Sequence, residues 1–291
     1  MTDITAPRHL LIFGQGYSAS AVAERARQSG WRVTGTRRTQ PNNPDIIPIE
    51  AVGPLLQDVT HILLSIPPGQ KGDPAWRLYA ETLRHAPHLA WIGYYSTTGV
   101  YGDRQGARVD ESTPPAPGQA RSQARVEAER AWASLAAERA IACDIMRLGG
   151  IYGPGRSAFD TLRSGHARAI DAPEHCFSRI HRDDIAEGTL AAIETAAQTP
   201  IKETRILNFT DNEPSPQRDV LEEAARLLHL PPPPVVTLAQ AWPQMSPMAQ
   251  GFWSERRVVD STHTQKTLQR PWRYPSYREG LAAILTAAPL P

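Results

Sequence analysis

Gly14-Gln15-Gly16-Tyr17-Ser18-Ala19 is a GxGxxA turn, and its residue types suit the close approach of a peptide backbone to a pyrophosphate. Gly14 permits the tight turn, Gly16 lets the chain near the anionic oxygens, and Ala19 is small enough for a helix to pack closely on a strand. The helix expected to follow offers free N–H groups to the same anion, so Tyr17 and Ser18 at its mouth join the three small residues as candidate cofactor contacts. Further on, Thr34-Gly35-Thr36-Arg37-Arg38 ends an apolar run where an NAD-preferring protein places a carboxylate for the ribose 2′-hydroxyl. Here the position is basic. Arg37 is the expected fork for a 2′-phosphate and Arg38 the expected neighbour of the adenine, which predicts NADP(H), with NAD(H) less favoured. The competing reading is two solvated arginines at a strand end.

Ser65-Ile66-Pro67-Pro68-Gly69 closes another apolar run at the edge where ligands sit in open α/β folds. Ser65 and Pro67 are expected to wall the cofactor, mainly through backbone, although ordinary turn chemistry explains Pro and Gly equally well. For proton exchange beside a nicotinamide the chain offers Tyr94, Tyr95, Tyr101, Tyr152 and His181. The alternatives are that the tyrosines pack a domain cleft and that His181, just before a helix N-cap expected at Asp183, is a structural hydrogen-bonding residue.

These residues need a scaffold, and the first half supplies its rhythm: short apolar runs alternating with helical stretches, as in βαβ units around a parallel sheet. Strands are predicted at His9–Phe13, Trp31–Thr36, Ile46–Ile49, His61–Ile66 and Leu89–Tyr95, with a helix over Ser18–Ser29 that stops at Gly30. Arg121–Glu138, rich in Ala, Arg and Glu without Gly or Pro, predicts a helix, and Ala142–Leu148 a buried strand. Beyond Gly149 the elements shorten. Helices are expected at Asp183–Ala197 and Pro216–His229, a strand at Arg205–Phe209, a stiff connector at Leu230–Pro234 and a closing turn and helix within Trp272–Leu285.

The chain has 291 residues, enough for one large α/β unit or a main domain with a small lobe. With 31 Lys+Arg against 30 Asp+Glu, no strong field favours nucleic acid or an anionic membrane. The two cysteines, Cys143 and Cys176, fit neither a disulfide framework nor a metal-ligand spacing and point to a reducing compartment, the cytoplasm. The first residues include acidic Asp3 and no long apolar run occurs, so neither secretion nor a membrane span is expected. The nine histidines form no ligand motif, so no metal is expected. Trp242, Met245, Met248, Phe252 and Trp253 form an apolar cluster expected to close a core or a dimer contact.

Together with the glycine turn, three stretches carry a resemblance to a known family: Ser96-Thr97-Thr98-Gly99-Val100-Tyr101-Gly102, Arg147-Leu148-Gly149-Gly150-Ile151-Tyr152-Gly153-Pro154-Gly155 and Ile180-His181-Arg182-Asp183-Asp184-Ile185-Ala186. In order and approximate spacing they resemble the extended short-chain dehydrogenase/reductase superfamily, in its NAD(P)-dependent epimerase/dehydratase-like branch. The resemblance implies that Thr97 hydrogen-bonds the reacting oxygen. It places the family's Tyr-x-x-x-Lys pair on the helix after residue 120, where this chain reads Arg121 and Arg125. Arginine at 121 stays protonated and cannot serve as acid or base near neutral pH, whereas Arg125 can still hold the ribose or phosphates. Gly150 stands where the family has an Asn that contacts nucleotide sugars, which removes support for such a substrate. In these departures the chain resembles the superfamily's atypical members.

The expected fold is therefore α/β, a Rossmann-type doubly wound parallel sheet with a small C-terminal α/β substrate lobe. Residues 1–150 are read as the NADP(H)-binding core and 151–291 as a mixed segment that forms the lobe and completes the core. The expected function is an NADP(H)-dependent oxidoreductase or epimerase/dehydratase-like enzyme acting on an unidentified small molecule. Thr97, Tyr101, Tyr152 and His181 are its candidate catalytic residues; a homodimer is implied by resemblance only. The alternative is a non-catalytic NADP(H)-binding sensor.

Overall fold

The computed structural model describes residues 8–39, 43–199 and 202–287. In chain order its elements are β1 (His9–Phe13), α1 (Tyr17–Gln28), β2 (Arg32–Thr36), β3 (Ile46–Ile47), β4 (His61–Leu64), α2 (Pro74–Arg84), β5 (Trp91–Thr97), β6 (Arg108–Val109), α3 (Ala120–Glu138) and β7 (Ala142–Leu148). The second half continues with β8 (Gly150–Tyr152), α4 (Ala158–Arg163), β9 (Ala169–Asp171), β10 (Arg179–His181), α5 (Arg182–Gln198), β11 (Thr204–Phe209) and α6 (Gln217–Leu227). It ends with β12 (Val235–Thr237), α7 (Leu238–Ala241), α8 (Pro247–Trp253), β13 (Val258–Val259), α9 (Thr262–Thr267) and α10 (Tyr277–Ala287).

Seven parallel strands form the main sheet in the order β11-β7-β5-β4-β1-β2-β3. Every residue of β1 and β7 is buried, as expected of strands covered on both faces. Alternation along β1 sends Leu10 and Ile12 to one layer, with α1 and α5, and Leu11 and Phe13 to the other, with α2 and α3. Winding runs from β1 through β2 to β3, then returns across the sheet to β4 on the other side of β1. The crevice at that reversal is where a doubly wound sheet binds its ligand.

Helix α2 was not among the expected elements. Its opening Asp73-Pro74 looks like a turn in sequence, yet Asp73 caps the helix: one carboxylate oxygen accepts from the amides of Ala75 at 2.8 Å and Trp76 at 3.1 Å, and Pro74 occupies the first turn, where no amide is missed. The other oxygen accepts from the Trp132 indole at 3.0 Å, joining α2 to α3. The strand expected through Ile49 stops at Ile47, and the one expected through Ile66 stops at Leu64.

Past β7 the chain leaves the sheet and comes back. Strands β8 and β10, β9 and β12, and β6 and β13 form three small parallel pairs, the last joining residues 108–109 to 258–259. A separate apolar cluster that includes Phe159, Ala224, Tyr277 and Leu281 packs α4, α6 and α10 together. Between these pieces β11 rejoins the main sheet beside β7. There Arg205 donates through Nε and Nη2 to the two carboxylate oxygens of Asp144 at 2.7 and 2.8 Å, and the Trp91 indole donates to the same carboxylate at 2.7 Å.

Candidate functional site

A cleft of about 1120 Å³ opens between the carboxyl ends of the sheet strands and the small lobe. Its floor begins at the glycine turn. Gly14 has φ +88°, and a β-carbon there would lie 2.5 Å from Ile66 Cγ1, so the turn after β4 closes directly on it. The Gly14 amide donates to Thr36 Oγ1 at 2.9 Å, tying the turn to the end of β2. Gly16 caps α1 without any side-chain hydrogen bond, and a β-carbon on it would meet nothing within 4 Å. Among the described residues no protein acceptor takes the Tyr17, Ser18 or Ala19 amide, and Tyr17 and Ser18 line the cleft, the arrangement an anion requires.

Of the expected cofactor residues, Gly14, Gly16, Tyr17, Ser18, Arg37, Arg38, Ser65, Pro67 and Arg125 all line this cleft. Ala19 lies fully buried beneath it, packing α1 on the sheet. Arg37 and Arg38 are exposed at the end of β2. The carboxylate on that side, Glu50, comes instead from the helical turn after β3.

The middle of the cleft belongs to the end of β5 and to α3. Thr97 lines it while its Oγ1 accepts from the Gly99 amide at 3.1 Å, capping the short helical turn that follows. Arg125 reaches over the Tyr94 ring and donates to the Tyr95 carbonyl. One turn earlier, Arg121 stacks on Phe252 at 4.5 Å. Behind the wall Glu129 accepts from Ser96 and, at 3.2 and 2.8 Å, from Arg147, whose guanidinium stacks on Tyr101 at 4.8 Å.

The expected proton-exchange residues are placed differently. Tyr101 is fully buried outside the cleft lining; its hydroxyl donates to Asn208 Oδ1 at 2.8 Å, and burial raises its pKa. Tyr152 shows its ring to the cleft, but its hydroxyl donates away from it to the Ser276 carbonyl at 3.3 Å, where burial again raises the pKa. His181, rather than Asp183, is the N-cap of α5: Nδ1 accepts from the Asp183 amide at 3.1 Å, and burial lowers the ring to about 4. Tyr94 and Tyr95 are equally buried, the latter hydrogen-bonded to Thr189 at 2.8 Å.

The small-lobe end holds residues that sequence reasoning passed over. Arg179, Glu255 and Arg257 line it, with Arg257 donating to Glu255 at 2.8 Å. Phe252 and Trp253 line it too, so the expected core cluster is divided: these two face the cleft, with Phe252 still partly exposed, while Trp242 and Met248 are exposed outside the cleft lining. The only local signal for Arg179 was its place directly before the stretch Ile180–Ala186. Among the described residues no group of His, Cys, Asp and Glu is placed to hold a metal ion, and no helix is long and apolar enough to cross a membrane.

No family model matches the chain. A structure described as a functionally unknown conserved protein from Silicibacter pomeroyi is 37% identical, with a TM-score of 0.84 over 96% of this chain and 98% of that one. Protein YeeZ of Escherichia coli K12 is 27% identical over 249 residues, covering 78% of this chain and 86% of its own length. The human epimerase family protein SDR39U1, solved with NADPH, is 16% identical with a TM-score of 0.73, covering 96% of this chain and all of that one. The chain belongs to one family with the Silicibacter pomeroyi protein, and it carries the fold of the extended short-chain dehydrogenase/reductases of the NAD-dependent epimerase/dehydratase kind.

Proposed function

We propose that the cleft binds a nicotinamide dinucleotide, NADP(H) in preference to NAD(H), and serves an oxidoreductase or epimerase/dehydratase-like reaction on a small molecule. The observation that carries this reading is the cradle itself: uncapped α1 amides, the open face of Gly16, and Arg37 and Arg38, in place of an acid, at the end of β2. Solved structures of this fold hold NADPH in one case and NAD in others, which supports a nicotinamide dinucleotide and leaves the choice to the two arginines. In this reading the α1 turn holds the pyrophosphate, Arg37 and Arg38 meet the 2′-phosphate, Ser65 and Pro67 wall the adenosine side, and Arg125 stands in for the lysine that holds the ribose. A nicotinamide bound there supplies a hydride donor or acceptor. Thr97 orients the substrate oxygen, and the aromatic wall of Trp253 and Phe252 excludes water.

One observation favours a second reading, an NADP(H)-binding sensor without catalysis: Tyr101, Tyr152 and His181 all keep their proton-exchanging atoms out of the cleft. Calorimetric titration with NADPH and NADH in parallel, repeated on Arg37→Ala, tests what the two readings share. Micromolar or tighter NADPH binding, about −8 kcal/mol, that weakens in the variant is expected. Failure of both nucleotides to bind would remove both readings. Turnover in a substrate screen then separates them.

A further inference from the structure

Arg179 sits on β10 directly opposite Gly150 of β8. Residue 150 has no side chain, and the arginine stem runs alongside it: a β-carbon at 150 would lie in ordinary contact, 3.6 Å, with Arg179 Cγ. Its Nη1 is tethered to the carbonyls of Phe177 at 2.9 Å and Ser215 at 2.8 Å, which aims the guanidinium and leaves Nε and Nη2 without a protein acceptor among the described residues. It also makes no ion pair among those residues, in contrast to Arg257 beside it, which is matched by Glu255. The nearby carboxyl of Asp211 forms no ion pair with it, and burial pushes that carboxyl up to about 8, which weakens it as a counter-charge. A half-buried, unmatched cation on a cleft wall is costly unless an anion arrives to meet it.

The neighbouring surface is largely aromatic and apolar. Phe177 and Trp253 pack edge to face with ring centroids 4.9 Å apart, and Ile151 and Val259 continue the wall. We propose that this end of the cleft recognises an oxyanion carried on an apolar or aromatic body, with the carboxylate or phosphate on the free edge of Arg179 and the body against Trp253 and Phe177. As the substrate end it rests on the reading of the cleft as a site of nicotinamide dinucleotide chemistry. The anion site itself requires no nucleotide, so the two can fail separately. A planar fork suits such an anion, and a strand without a side chain at 150 gives the fork room.

The test uses the full chain and three probes of one shape: benzoate, phenyl phosphate and uncharged benzamide, each titrated with and without NADPH. Benzoate or phenyl phosphate is expected to bind, the tighter one identifying the oxyanion, with benzamide at least about tenfold weaker. Arg179→Gln is expected to abolish that preference. Arg179→Lys, which keeps the charge but loses the fork, is expected to retain part of it, and thermal unfolding of both variants shows that they remain folded. Benzamide binding as tightly as the anions, no binding of any probe, or unchanged selectivity in a folded Arg179→Gln would overturn the proposal. Anion binding that persists while NADPH fails to bind would leave the anion site standing and remove only the dinucleotide reading.

Discussion

The side chain of Arg37 is folded back onto the glycine turn: its Nε–H donates to the Gln15 carbonyl at 2.7 Å and its Nη2 to Ser20 Oγ at 3.1 Å. The arginine thus braces the end of β2 against the start of α1, and only part of its fork remains for a ligand. If that remainder meets a 2′-phosphate, Arg37→Ala weakens NADPH binding by about 10- to 100-fold and NADH binding by less than about threefold. The turn survives in the variant because the Gly14 amide still bonds Thr36. Parallel titrations decide; an equal loss for both nucleotides would mark Arg37 as a brace alone.

Glu129 and Arg147 are both nearly sealed from solvent, with side-chain exposures of 7% and 4%. Removing the carboxylate strands a buried guanidinium. Glu129→Ala is therefore expected to cost about 3–5 kcal/mol in denaturant unfolding. A loss under about 1 kcal/mol would show that water reaches Arg147.

Two glycines with similar φ should respond differently. Gly102 has φ +68°, and a β-carbon there would lie 1.9 Å from the Ala116 carbonyl oxygen, whereas Gly155, at φ +73°, has open space around that position. Gly155→Ala bears only the left-handed penalty, about 1 kcal/mol, while Gly102→Ala must also move backbone and is expected to lose about 3 kcal/mol or more. Thermal or urea unfolding of the pair measures the difference.

Burial raises Asp211 to about 8, partly offset by Arg179 and reinforced by Glu213 and Asp184. The folded protein then holds a proton that the unfolded chain releases near the ordinary carboxylate range. The stabilisation is complete below that range and is lost as pH rises through about 8. Asp211→Asn removes the titration while keeping an acceptor for the Glu213 amide, which Asp211 Oδ1 bonds at 3.3 Å. Relative to the parent, the variant is expected to be more stable at pH 8 than at pH 5, by a Tm difference of about 5 °C. Parallel Tm–pH curves would overturn this.

Much of the scaffold was legible because its signals are local. The span of β7 was read as it stands, and α3 to within one residue, since a mostly apolar run between an Ala-rich helix and a Gly-Gly pair and an uninterrupted helix-forming stretch each announce themselves. Strand pairs such as Arg108 with Val258 were not legible: two-residue pairings across the chain leave no periodicity. At the site, the glycine turn and its two arginines could be read from type and spacing. Which way a side chain faces could not. Tyr101, Tyr152 and His181 look alike as acid–base candidates in sequence, and only packing against Asn208, α10 and the α5 cap distinguishes them. Arg179 was invisible for the converse reason, because its meaning depends on the empty position at Gly150 across the strand pair.

The pairing of β7 with β11 also sets a timetable for the newborn chain. Leaving the ribosome, β7 can dock on β5 at once, but its other edge must wait for Thr204–Phe209. Through that interval a strand destined for complete burial shows a row of unsatisfied backbone groups, and Asp144 lacks the arginine that will neutralise it. A polypeptide halted between the two strands would carry an adhesive margin, so the vulnerability of this protein to aggregation is concentrated in the translation of some sixty residues and ends when Arg205 arrives.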